Sequence, residues 1–210
     1  IMLPFAVAQL IFAPLSGRIT ARFGAKPTAA VNMLVIAAAF TAYSTFTEDT
    51  PVAVIMAVCF VQGAGMANIM PPATTTIMDT LPREKAGVGS AMGNTVRQVG
   101  GALGVAVLGS VLSAAYRDRI APALTGLPEA VRHAAGESLA STVAVARNLG
   151  AGGAALLDPA IEAFLTGMRI TALTGAGIAL LGAVMVAVWL PGRKAARASA
   201  AERAAGREVR

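Results

Sequence analysis

Few side chains in this sequence could do chemistry inside an apolar medium, and most of them sit in one stretch. Between Pro82 and Gly109 the chain reads Gly93-Asn94-Thr95-Val96-Arg97-Gln98-Val99-Gly100-Gly101-Ala102-Leu103-Gly104. At helical spacing Gly89, Gly93, Arg97, Gly101, Gly104 and Leu108 share a face. Small residues on one face let helix backbones approach closely in lipid, so Gly89, Gly93, Gly100, Gly101 and Gly104 are expected to form a tightly packed seam. Arg97 lies in that seam. A guanidinium near the bilayer centre costs at least ~2.5 kcal/mol, so something must compensate for it. Two readings stand: Arg97 lines or gates a polar path together with Asn94 and Gln98, or its head snorkels to the near membrane surface.

A second set lies upstream. Gly65, Asn68, Pro72, Thr75 and Asp79 recur at helical spacing as a polar stripe, and such stripes face the interior of a bundle. With Gln62, three residues before Gly65, the expected path residues are Gln62, Asn68, Thr75, Asn94, Arg97 and Gln98. Asp79 is the one carboxylate close to this apolar run; it is either a protonatable group or a helix-end residue paired with Arg83, four positions on. Met70-Pro71-Pro72 removes two backbone donors, so the helix is expected to kink or break there.

Enzyme chemistry finds no support. The single Cys59 lies in an apolar run and the single His133 has no Cys or second His near it, which excludes a zinc cluster, a disulfide framework and a Ser-His-Asp arrangement. No catalytic set, metal site or cofactor is expected. Gly63-Ala64-Gly65-Met66-Ala67-Asn68 has two glycines of a dinucleotide fingerprint, but it follows no strand.

The elements that must position these residues follow from composition. Of 210 residues, 56% are hydrophobic and 13% charged, and mean hydropathy is +0.67, far from a soluble mix of about a quarter charged. At roughly 20 apolar residues per crossing of a ~30 Å hydrocarbon layer, the chain has room for about five spans. They fall at 3–17, 28–46, 52–78, 87–115 and 163–190, an all-α polytopic bundle over 1–190. The first run starts at once, without the charged region of a signal peptide, so the chain is expected to begin inside something larger.

Charge sets the expected orientation. Arg18, Arg22 and Lys26 follow the first span, Glu48 and Asp49 the second, Arg83 and Lys85 the third, and the tail 191–210 carries Arg193, Lys194, Arg197, Arg203, Arg207 and Arg210. Rich and poor connections alternate, which places the rich ones and the C-terminus in the cytoplasm and the long connection 116–162 outside. That connection holds an amphipathic stretch at Pro128 to Asn148 and a flexible Gly150-Ala151-Gly152-Gly153. Asp158-Pro159 then starts the last helix. The net charge of +6 does not point to nucleic acid, because the 5% of aromatics are scattered rather than set beside the cations. The basic tail either fixes topology or holds anionic lipid.

Between the first two spans, Gly17-Arg18-Ile19-Thr20-Ala21-Arg22-Phe23-Gly24-Ala25-Lys26 reads as a tight basic turn bounded by glycines. It is either a plain positive-inside loop or a motif loop, and here a family likeness emerges. The segment resembles the cytoplasmic loop signature of the major facilitator superfamily, matched by Gly17, Arg22, Gly24 and Lys26. It departs from it at Ala21, where the acidic position is displaced or lost, and at Ala25. The Asn-Thr-x-Arg-Gln-x-Gly-Gly run and Pro71-Pro72-Ala73-Thr74-Thr75-Thr76 resemble the C-terminal half of that superfamily's fourteen-span drug:proton antiporters, as its last five spans.

The resemblance implies an alternating-access fold of two six-helix bundles in the plasma (inner) membrane. It also implies proton-driven efflux of lipophilic, often cationic, small molecules, and a first bundle that this sequence lacks. Gly17, Arg22, Gly24, Lys26, Asp79 and Arg83 are then gating or loop-motif residues. Two alternatives stay open: a metabolite or siderophore exporter of the same superfamily, and a membrane scaffold or anchor whose glycine seam simply dimerises.

Overall fold

The computed structural model describes residues 2–47, 49–69 and 86–190. These residues are helical almost throughout, and no strand occurs among them. The helices are α1 (Leu3–Phe23), α2 (Ala25–Tyr43), α3 (Val52–Ala67), α4 (Ala86–Ile120), α5 (Glu129–Gly136), α6 (Leu139–Asn148) and α7 (Leu157–Trp189). Short 3₁₀ segments cover Ala121–Leu124 and Gly150–Leu156. Four helical stretches are long and apolar enough to cross a membrane; α3, described as far as its end at Ala67, is a shorter apolar helix. With most backbone N–H and C=O groups paired along the helices, this is the architecture that a bilayer permits.

The helix ends differ from the expected ones. The first span was expected to stop at residue 17, yet α1 continues through Gly17, Arg18 and Arg22 to Phe23. The expected ten-residue turn is one residue wide. Gly24, at φ 97°, is the sole break, and its N–H closes the end of α1 on the Thr20 carbonyl at 2.8 Å. That conformation is left-handed and favours glycine, whereas Gly17 is an ordinary helical residue. The amphipathic stretch 128–148 holds two helices, α5 and α6: Ser138 adopts an extended conformation and its Oγ accepts from the Ser141 N–H at 3.2 Å, starting α6. From Leu157 the last helix runs unbroken for 33 residues, about 50 Å at 1.5 Å per residue.

The chain divides into two compact units, Ile1–Ala39 with Pro51–Gln98 and Ala176–Arg210, and Phe40–Thr50 with Val99–Gly175. In the first, α1 packs on α3. Gly63 and Gly65 make that packing close: a Cβ at Gly63 would lie 2.7 Å from the Phe5 carbonyl oxygen, and one at Gly65 3.2 Å from Val35 of α2. Phe12 and Phe60 meet edge to face, centroids 6.1 Å apart. The second unit has a small apolar core of Tyr116, Ile120, Leu124, Ala135, Leu156 and Ala160. Its centre is polar: the Tyr116 and Thr142 hydroxyls lie 2.6 Å apart, and Thr142 donates to the Ala135 carbonyl at 2.5 Å. Each buried polar group there has a partner, as burial requires.

Candidate functional site

Three groups of residues carry polar chemistry in the apolar helices. On α4, one turn brings Arg97 onto Asn94, whose Oδ1 accepts from the guanidinium Nη2. The i,i+3 spacing makes the contact possible. Arg97, Asn94 and Gln98 are all exposed. The same holds for much of the expected glycine seam: Gly89 is buried and Gly93 half-buried, but a Cβ at Gly100, Gly101 or Gly104 would meet nothing within 4 Å. The spacing that builds the face is present; a partner packed on its middle is not, among the described residues. Little of the apolar stretch of this helix is buried, so α4 offers lipid-compatible side chains such as Val96, Val99 and Leu103 on nearly every side.

The second group lies in the α1, α2 and α3 unit. Asn68 is 5% exposed at the end of α3; its Nδ2 donates to the Ala64 carbonyl at 2.8 Å, while Oδ1 has no partner. The fully buried Ser16 Oγ and the Thr20 Oγ1 on α1 are likewise without partners. On α2, Thr28 donates to the Gly24 carbonyl at 2.8 Å and Asn32 to the Thr28 carbonyl at 2.7 Å, so these two are locally satisfied. Gln62 is half-buried on α3. Three unmet oxygens in one helix unit are a costly feature, each forgoing a hydrogen bond worth about 1–3 kcal/mol when its group is buried. They are acceptors able to take a water or a donor-bearing solute.

Sequence reasoning singled out Asn68 and missed Ser16 and Thr20. The signal was available: Ser16–Thr20 and Thr28–Asn32 are i,i+4 polar pairs in otherwise apolar helices. Thr75, Asp79 and Arg83, and the Met70-Pro71-Pro72 break, lie outside the described residues. Of the loop motif, Gly17 faces open space in α1, the Arg22 guanidinium lies 5.7 Å from the Phe23 ring centroid, Gly24 makes the turn and Lys26 opens α2.

The third group joins helices far apart in sequence. Arg169 of α7 donates from Nε to the Ser44 carbonyl at the end of α2, at 2.9 Å. A lone Arg in a long apolar run gave no hint of that partner.

The sequence profile of the Major Facilitator Superfamily matches residues 1–131. This chain belongs to that superfamily. It is 32% identical over 190 residues to the multidrug efflux pump LfrA of Mycolicibacterium smegmatis, covering 90% of this chain and 37% of that protein. It is 30% identical over 198 residues to the methyl viologen resistance protein SmvA of Salmonella typhimurium, covering 93% of this chain and 39% of that protein. Over 111 residues it is 34% identical to the MFS-type transporter YhcA of Bacillus subtilis, covering 53% of this chain and 21% of that protein. The chain thus spans between 21% and 39% of the length of these curated relatives. It is a multi-pass membrane protein of a transporter superfamily, not of an enzyme family.

Proposed function

We propose that this chain is the C-terminal part of a proton-coupled exporter of lipophilic drugs or related small molecules, of the fourteen-span branch, in the plasma membrane with its C-terminus in the cytoplasm. Two relatives that it follows almost end to end, over 90% and 93% of its length, are named for multidrug efflux and for methyl viologen resistance. The observation that carries the reading is the bare polar and small-residue face of α4. Gly100, Gly101 and Gly104 leave a backbone-deep surface open, and Arg97, Asn94 and Gln98 stand exposed on the same helix. A helix whose small residues suit close packing, left uncovered by the described residues, fits an interface that a first bundle would supply.

In this reading the bare face works against the first bundle during alternating access, and the substrate binds between the two. Arg97, held by Asn94, supplies a cation at the margin of the path. The unmet oxygens of Ser16, Thr20 and Asn68 are polar groups in the α1–α3 unit that a water or solute reaching them would satisfy. For orientation, the support is the alternation of basic connections.

The test is ethidium efflux from cells expressing the full-length protein, with and without a proton-gradient uncoupler, comparing wild type with Arg97→Ala at matched membrane levels. Uncoupler-sensitive efflux that falls at least ten-fold in the variant is the expected result. Ethidium retention equal to that of cells lacking the protein would remove the drug-export reading.

A further inference from the structure

The end of α2 is sealed group by group. The last carbonyls of an α-helix have no partner within it and must find one elsewhere. Here the Ser44 N–H reaches the Phe40 and Thr41 carbonyls, and the Ser44 hydroxyl also donates to Thr41 at 2.7 Å. Thr45 donates to the Ala42 carbonyl through both its N–H and its hydroxyl. Phe46 N–H takes Tyr43. The Ser44 carbonyl, last of the series, is taken by Arg169 Nε of α7. Close packing holds this junction: a Cβ at Gly175, six residues along α7, would lie 3.2 Å from the Phe40 ring.

Two independent length counts place this junction at a membrane surface. From Arg169 onward, residues 170–189 contain no charged side chain, and 20 helical residues rise about 30 Å, the thickness of the hydrocarbon layer. Along α2, the uncharged residues after Lys26 reach Ser44 in 18 steps, about 27 Å. Both helices arrive at the boundary where their hydrogen bond forms. Aromatic side chains stand at the same level, Tyr43 with Phe46 edge to face at 5.3 Å and with Phe40 at 6.3 Å, as in the aromatic belts of membrane proteins.

A guanidinium has five N–H donors. Nε is committed to Ser44, which fixes the plane of the group, and Arg169 is exposed. Among the described residues no carboxylate lies within ion-pair distance of it and its two terminal nitrogens have no partner. Those nitrogens form the end-on fork that binds a phosphate through two parallel, charge-assisted hydrogen bonds. We propose that Arg169, oriented by the Ser44 carbonyl and flanked by Tyr43 and Phe46, is a binding site for the phosphate of an anionic phospholipid. The lipid's acyl chains run down beside the apolar surface of α7, so the ligand is a membrane lipid and not a free anion. The site is independent of the transport reading.

The experiment is a titration of the purified full-length protein in detergent with phosphatidylglycerol, read as bound lipid by native mass spectrometry. Arg169→Gln is expected to weaken the tightest binding by about five- to ten-fold, in keeping with the loss of one interfacial cation. Arg169→Lys keeps the charge without the fork and is expected to fall between, which preserves the test if the Gln variant does not fold. Arg132→Gln, in α5, is expected to bind as wild type does, and millimolar inorganic phosphate to leave the bound lipid in place. Wild-type binding by both Arg169 variants overturns the site. An equal loss in Arg132→Gln, or displacement by inorganic phosphate, overturns it too, as a general charge effect or a free-anion site.

Discussion

Glycines in α3 and in α4 sit in opposite surroundings. Gly63 and Gly65 are pressed against backbone and side chains of α1 and α2, while Gly100, Gly101 and Gly104 face open space. Both helices are apolar and both place small residues at helical spacing. The difference lies in what covers them. A covered glycine is part of the chain's own stability; in the proposed reading an uncovered one is a packing surface for a partner, and its importance shows only when the partner is present.

Substitutions sharpen that contrast. The largest effect on the amount of folded protein is expected at Gly63→Val, where the added Cβ meets the Phe5 carbonyl oxygen at 2.7 Å and backbone must move. Overpacking of this kind costs about 1–3 kcal/mol, and membrane-inserted protein, measured by fluorescence-detected gel filtration, should fall sharply. Gly101→Leu should leave that yield at the wild-type level, because among the described residues nothing lies within 4 Å of its Cβ, yet lower ethidium efflux at least ten-fold in the full-length protein. Equal efflux would show that the α4 face is merely lipid-exposed. The most local effect, with the least consequence for efflux, is expected away from both helices' glycines, at Thr142→Val. It leaves the Tyr116 hydroxyl without its 2.6 Å partner in a buried site, a loss of about 1–3 kcal/mol that should appear as faster proteolysis between residues 121 and 156 with efflux retained.

The bundle was legible because lipid demands long apolar helices, and composition alone reports them. Where the helices end was not. Gly17 and Gly24 look alike in sequence, and both were read as turn residues; only the backbone shows that Gly24 takes φ 97° and that α1 runs straight through Gly17. The α4 face was legible as a pattern of small residues, but not what packs on it: no described residue covers Gly100, Gly101 and Gly104, since spacing defines a face and cannot say what covers it. Arg97 and Asn94 were readable together, three residues apart on one helix. Arg169 was invisible for the converse reason: its partner is a backbone carbonyl 125 positions away, and a carbonyl has no sequence signature. Ser16 and Thr20 carried a local signal, an i,i+4 polar pair, which the longer stripe on the third span overshadowed.

The central claim is that the bare face of α4 is an interface with the rest of a transporter. A nitroxide spin label on Gly101→Cys in the full-length protein, reconstituted in lipid, tests it most directly, with Leu103→Cys as the comparison. The expected result is an immobilised label at 101, shielded from oxygen dissolved in the bilayer. A mobile label at 101, as open to oxygen as one at 103, would contradict it.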